Sequence, residues 1–290
     1  MMLTTRRQFL QTSTAAALLT LGAHGLRAAE NPAATGMKLG LVTYQWGKDW
    51  DIPTIIKNCA AANFSGVELR TTHAHGVDLP LTKEQRAEVR KQFADSPVEV
   101  VGIGSACEYH SADPKVLRKN IEETKAYLQL SHDLGGTGVK VRPNGFVKDV
   151  PHEKTIEQIG KSLNEVSEFA AGLGQEIRLE VHGKETAEIP VMVEIMKVAT
   201  HPLARVCWNC NPQDLKGDGL AANFAALQSR IATVHIHDLT TNSYPWQELF
   251  ALLKGINFQG WTLLEENRMP VNIPAAMDEN YKVWKELTAR

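Results

Sequence analysis

The sequence predicts a single α/β domain, a closed (β/α)8 barrel, behind an N-terminal segment outside the fold. Three observations carry this. Short apolar runs with β-sheet composition alternate with amphipathic helical runs eight times, and regular β/α alternation implies a parallel sheet. No Pro- or Ser-rich linker interrupts the series, and about 250 residues is the size of one closed barrel. Ionisable side chains also gather at the C-terminal ends of the strand-like runs, where a barrel has its mouth. An open doubly wound sheet would want a glycine-rich turn after its first strand, and Thr43-Tyr44-Gln45-Trp46 is not one.

The N-terminal segment, residues 1–30, has its own pattern. Thr5-Arg6-Arg7-Gln8-Phe9-Leu10 carries a twin arginine, an apolar run spans 15–21, and small residues follow at Ala28 and Ala29. This is the layout of a twin-arginine (Tat) export signal, so the expected location is the periplasm. The apolar run is too short to span a bilayer, and with no cysteine just after it no stable membrane anchor is expected. The 290 residues carry a net charge of -2, which argues against nucleic acid as a partner.

The elements follow in order. Residues 38–44 form the first strand, and a helix covers 52–63. Glu68 and Arg70 share the polar face of the second strand, 66–70, which runs into a loop with His73 and His75. Thr82-Lys83-Glu84-Gln85 is a capping box opening a helix to residue 93. The third strand, 98–103, is closed by Gly104, and the next loop holds Glu108 and His110. A long helix over 114–134 precedes the fourth strand, 138–142, with Lys140 and Arg142 on its polar face. A helix over 153–171 ends at Gly172 and Gly174.

The fifth strand is the most informative. Ile177, Leu179 and Val181 point one way, while Arg178, Glu180 and His182 point the other. That suits a barrel strand with its apolar face under helices and its polar face inward. The sixth strand, 204–209, puts Arg205, Cys207 and Asn209 on one face, followed by Asn211. The seventh, 231–237, puts His235 and His237 on one face. The eighth, 260–265, ends at Glu265, and helices over 189–200, 220–229, 246–254 and 274–288 complete the units. Cys207 and Cys210 spell C-x-x-C, but within a strand and without a second Cys or His pair. Buried free thiols fit better than a redox or zinc site.

A closed barrel brings these strand ends to one rim. So many ionisable groups together are unfavourable unless paired or bound to an ion. Glu180, Asn209, His235 and Glu265, from four successive strands, are the candidate ligands of a divalent cation. Oxygen donors with one imidazole suit Mn, Mg, Co or Zn.

With Leu179-Glu180 at strand five, Val234-His235-Ile236-His237-Asp238 at strand seven and Gly260 followed by Glu265 at strand eight, residues 37–290 resemble the sugar phosphate isomerase/epimerase family. Its members have the xylose-isomerase-like TIM barrel, and the ketose 3-epimerases are among them. The resemblance implies a metal held by Glu180, Asn209, His235 and Glu265, with Glu180 and Glu265 moving a proton beside a carbonyl of a sugar, and the expected periplasmic location favours an unphosphorylated one. Glu68, Arg70, His75, Glu108, Lys140, Arg142, His182, Asn211 and His237 would bind the substrate. For Lys140 and Arg142 the competing reading is a structural ion pair with Glu68 or Glu180; for Trp46 and Trp246, stacking on a sugar competes with packing.

The chain departs from the family at Asn209, where relatives carry Asp, and in the loop Asp238-Leu239-Thr240-Thr241-Asn242, which lacks the family's Arg. A 3-keto-glycoside lyase or hydratase is therefore an alternative, and a non-catalytic sugar-binding barrel another. A homo-oligomer is compatible with each.

Overall fold

A computed structural model describes residues 36–289, so the proposed export signal at 1–30 lies outside the described residues. Eight parallel strands close into a barrel in sequence order. They are β1 (Lys38–Val42), β2 (Gly66–Arg70), β3 (Glu99–Glu108), β4 (Gly138–Arg142), β5 (Glu176–Glu180), β6 (Ala204–Trp208), β7 (Ile231–Ile236) and β8 (Trp261–Leu264). The helices between and after them are α1 (Ile52–Ala61), α2 (Lys83–Ala94), α3 (Pro114–Leu134), α4 (His152–Ala171), α5 (Ile189–Val198), α6 (Leu220–Leu227), α7 (Trp246–Gly255) and α8 (Ile273–Ala289). The barrel closes where β1 pairs with β8, Lys38 opposite Trp261 and Leu41 opposite Leu264.

Local chemistry explains several boundaries. Both hydrogen bonds of the Thr82–Gln85 capping box form, at 3.3 and 2.9 Å, and start α2. Gly135, at φ +85°, ends α3 in the left-handed conformation that costs glycine little. One boundary differs from expectation: β3 does not stop before Gly104 but continues to Glu108, which lies opposite Arg142. Gly102 and Gly104 look like terminators but serve close approach. A methyl group on Gly102 would stand 2.3 Å from the Gly138 carbonyl oxygen, and one on Gly104 would stand 2.9 Å from Glu68 Oε1. A register shift between Gly104 and Glu108 keeps the pairing going.

Two cores result. The larger lies between strands and helices and includes Leu41, Leu69, Val141, Leu179 and Val206. The smaller is Val42, Val101 and Leu263, with Tyr44 and Trp261 packed against it. Inside the barrel every nitrogen of the Arg178 guanidinium has a partner: Nε donates to Glu176 Oε1 at 2.8 Å, Nη1 to the Val101 carbonyl at 3.2 Å and Nη2 to Thr137 Oγ1 at 2.7 Å. A buried cation is tolerable when its donors are satisfied in this way.

Candidate functional site

The strand ends on the C-terminal side surround a polar cavity of about 270 Å³. It is lined by Tyr44, Arg70, Arg142, Glu180, His182, Asn209, Asn211, His237, Glu265 and Asn267. Alternation accounts for most of the list. Glu180 and His182 share a parity on β5, as do Asn209 and Asn211 after β6, His235 and His237 at the end of β7, and Glu265 and Asn267 after β8. Gly183, at φ +95°, turns the chain immediately after His182, where a methyl group would lie 2.6 Å from Asn144 backbone.

Glu180, His235 and Glu265 each offer a donor, and the three atoms lie within 4.8 Å of one another. His235 Nδ1 is 3.1 Å from Glu265 Oε2 and 3.7 Å from Glu180 Oε1. Such separations suit donors around one divalent cation with bonds of roughly 2.0–2.6 Å. Asn209 adjoins the group: its Nδ2 donates to Glu180 Oε1 at 3.1 Å, while its buried Oδ1 has no partner. An orphaned buried amide oxygen beside two carboxylates and an imidazole is what an oxygen-preferring ion would satisfy. The residues therefore fit a divalent cation held by Glu180, His235 and Glu265, with Asn209 as a neutral fourth donor.

Below the cavity lies a second, sealed tier. Lys140 Nζ donates to Glu180 Oε2 at 2.8 Å, and the Lys140 side chain is 1% exposed. Glu68 Oε1 stands 3.3 Å from His235 Nε2, with both side chains fully buried. Burial alone would raise Glu180, but the Lys140 ammonium and the His235 imidazole outweigh it and hold the carboxyl well below its usual range. Burial opposes a charge on His235, yet the neighbouring Cys207 and then the carboxylates Glu265 and Glu68 push it well above its ordinary value. Burial likewise opposes the charge on Lys140, and Glu180, Glu265 and Glu68 overcome it. Burial sets His182 apart, helped by Arg142 and Lys140: it is held below its usual value and is neutral at pH 7.

The structure sorts the expected substrate-binding residues into two groups. Arg70, Arg142, His182, Asn211 and His237 line the cavity. Glu68 and Lys140 do not, because they lie in the sealed tier, where Lys140 forms the ion pair with Glu180 that competed with a substrate role. His75 is also off the wall. Its Nε2 donates to the Arg70 carbonyl at 2.8 Å and its Nδ1 accepts from Val77 N–H at 3.0 Å, so both ring nitrogens support the loop; burial pushes it down to about 4. Glu108 accepts from Asn144 Nδ2 and stands 3.7 Å from Arg142 Nη2, outside the lining.

Trp46 and Trp246 pack rather than face the cavity. The Trp46 indole donates to the Arg268 carbonyl at 2.6 Å, and the Trp246 indole to the Thr241 carbonyl at 3.0 Å. Cys59, Cys107, Cys207 and Cys210 are all free and buried. Tyr44 and Asn267 were missed as lining residues. Each lies two residues beyond a position of matching parity, Val42 and Glu265; alternation within the expected strand 38–44 already pointed to Tyr44, and extending it past the eighth strand would have found Asn267.

The family model of the xylose isomerase-like TIM barrel matches residues 56–287. The chain belongs to this family. Among individual relatives, the D-psicose 3-epimerase of Enterocloster bolteae is 22% identical over 271 residues, covering 87% of this chain and 88% of that protein. An L-ribulose 3-epimerase structure superposes with a TM-score of 0.74 at 16% identity, covering 87% of this chain and 94% of the other. The E. coli 3-keto-D-glucoside 4-epimerase does so with a TM-score of 0.71 at 14% identity, covering 86% and 99%. At these identities the structural likenesses establish the fold, as expected of a barrel whose chemistry lies in its rim. Among the described residues no helix is long and apolar enough to cross a membrane.

Proposed function

We propose that this family member is a metal-dependent sugar isomerase or epimerase that moves a proton on a carbon next to a carbonyl. The observation that carries the reading is the meeting of Glu180 and Glu265, on the wall of a cavity of monosaccharide size, with His235 buried directly behind them. The epimerase relatives, all acting on ketoses or keto-sugars by their names, agree with it. The ion (Mn, Mg, Co or Zn) would supply Lewis acidity towards a hydroxyl and the adjacent carbonyl.

The chain's own residues do the rest. Lys140 keeps Glu180 ionised, ready to accept a proton from carbon. Glu265, the second carboxylate of the cavity wall, takes a proton from solvent and delivers it to the carbon, while Glu180 releases the one it removed to solvent. His182, held neutral, can donate one hydrogen bond and accept another from sugar hydroxyls. His237 donates or accepts from the same wall, with its Nδ1 fixed 2.7 Å from the Glu265 carbonyl oxygen. Because the N-terminal segment has the layout of a Tat signal, we place this chemistry in the periplasm on an unphosphorylated sugar.

The test is incubation of Mn²⁺-loaded protein with ketoses and 3-keto-glycosides in D2O, followed by NMR. Deuterium should enter beside the carbonyl, and Glu265→Gln should abolish its entry while the protein stays folded. Loss of an aglycone instead would identify the lyase alternative. Absence of both exchange and ion binding would leave a sugar-binding barrel.

A further inference from the structure

The cavity is chemically divided. Strands β5–β8 contribute Glu180, Asn209 and Glu265 to its wall, whereas β1–β4 contribute Tyr44, Arg70 and Arg142. The two guanidinium groups are under-satisfied. Each has a buried Nε with no partner. Arg142 Nη2 reaches only the Ala106 carbonyl, at 3.4 Å, and Glu108 at 3.7 Å. Arg70 Nη1 is 3.7 Å from Glu265 Oε1, beyond a normal hydrogen bond, and its guanidinium lies over the Tyr44 ring at 4.8 Å. Arg178, in the interior of the same barrel, has Nε, Nη1 and Nη2 all engaged. Arg178 thus has a partner at every nitrogen, whereas the two arginines on the cavity wall, like Arg205 in β6, each have a buried Nε without one, and only these two face the cavity.

The place where barrels of this kind often receive phosphate is taken. That place is formed by the loops after β7 and β8. Here the carboxylate of Glu266 accepts from the backbone N–H groups of Asp238 at 3.0 Å, Asn267 at 2.8 Å and Arg268 at 2.9 Å. An internal anion occupies the backbone donors a phosphate would use. The unsatisfied donors left are planar forks, which match a carboxylate or a phosphate in bidentate fashion, and an unphosphorylated substrate leaves the carboxylate.

We propose that the substrate is a sugar acid, its carboxylate received by Arg142 and Arg70 on the β2–β4 wall while its carbonyl end meets Glu180 and Glu265. This rests on the proton-transfer reading above for the second half of the statement only. The first half is a binding claim and can be tested without turnover.

The experiment compares D-fructuronate and D-tagaturonate with the parent ketoses and with D-fructose 6-phosphate, on Mn²⁺-loaded protein, by calorimetric titration and by deuterium exchange. Two charge-assisted contacts should favour the acid over its neutral parent by about 10–100-fold in Kd. Arg142→Gln should reduce that ratio by about 3–10-fold, one contact's share, and Arg142→Lys, with the charge but not the fork, should recover part of it; a melting curve verifies that each variant folds. An acid that binds without exchanging upholds the anion site and removes the proton-transfer reading. Ketoses that exchange as readily as their acids, an unchanged ratio in Arg142→Gln, or a preference for the phosphate would overturn the proposal while leaving proton transfer intact. Neither binding nor exchange overturns both.

Discussion

Glu68 touches no part of the cavity, yet replacing it should weaken the ion. Its carboxylate lies 3.3 Å from His235 Nε2, on the opposite edge of the ring from Nδ1, which faces Glu180 and Glu265. An imidazole that ligates through Nδ1 must carry its proton on Nε2, and Glu68, the carboxylate nearest that nitrogen, favours the proton there by its charge, since the two atoms are close but form no hydrogen bond. A carboxylate behind a histidine ligand also raises the ring's basicity. This matters more here than in relatives with a fourth charged ligand, since Asn209 is neutral.

Glu68→Gln keeps the shape and removes the charge. Loss of such an outer carboxylate typically costs 10–100-fold in metal affinity, equivalent to about 1.4–2.7 kcal/mol. For a barrel of this size that is roughly 3–10 °C off the metal-induced rise in Tm at saturating ion. Removing one partner of a buried pair also lowers stability by itself, so the deciding quantity is affinity. Calorimetric titration of the folded variant with Mn²⁺ or Co²⁺, backed by chelator competition, measures it, and Glu68→Asp should retain part of the wild-type value. Equal ion affinity in Glu68→Gln and the parent would refute the assignment.

Three further outcomes follow from the same geometry. Lys140→Met strips Glu180 of its cation at a site with almost no water, and should destabilise by about 3–5 kcal/mol in chemical denaturation; a loss below 1 kcal/mol would show that the pair contributes little. Burial pushes Asp214 up to about 7, against the hydrogen bonds from Tyr244 Oη and Asn211 N–H that favour its ionised form. The folded protein therefore keeps that proton up to about pH 7 while the unfolded chain releases it near 4, so this contribution to stability is full below pH 4 and falls away as pH rises to 7. Relative to wild type, Asp214→Asn should gain stability across that window, by at most about 4 kcal/mol, and a pH-independent difference would contradict the shift. Gly102→Ala places a methyl group 2.3 Å from the Gly138 carbonyl oxygen and should cost roughly 1–3 kcal/mol by overpacking, read as a lower denaturation midpoint.

The barrel and the contents of its rim were legible in the sequence because strand parity is a local property. Alternation in 177–182 assigns Glu180 and His182 to the interior face whatever the remaining strands do. Depth was not legible. Parity puts Glu68 and Arg70 on one face equally, but only the register of neighbouring strands sinks the first beneath the cavity and lifts the second to its wall. Lys140 stands opposite Arg178, one layer below Glu180, and its long side chain climbs to that carboxylate. The extent of β3 misled for a related reason. A glycine that ends a strand and one that lets another backbone approach are identical in the sequence, and the distinguishing contacts come from β4. His75 was placed on the rim by type, whereas its ring nitrogens are committed to the loop around it.

The seam between β1 and β8 has a consequence for how the protein is made. The first strand finds its second neighbour only in the last one, and Glu265 follows directly on that strand. A nascent chain emerging from the ribosome can neither hide the free edge of β1 nor complete the ion's donor group until translation is almost over. If the proposed ion binds there, its capture must wait for the end of maturation, and the onset of binding in a refolding reaction would give a clock for ring closure.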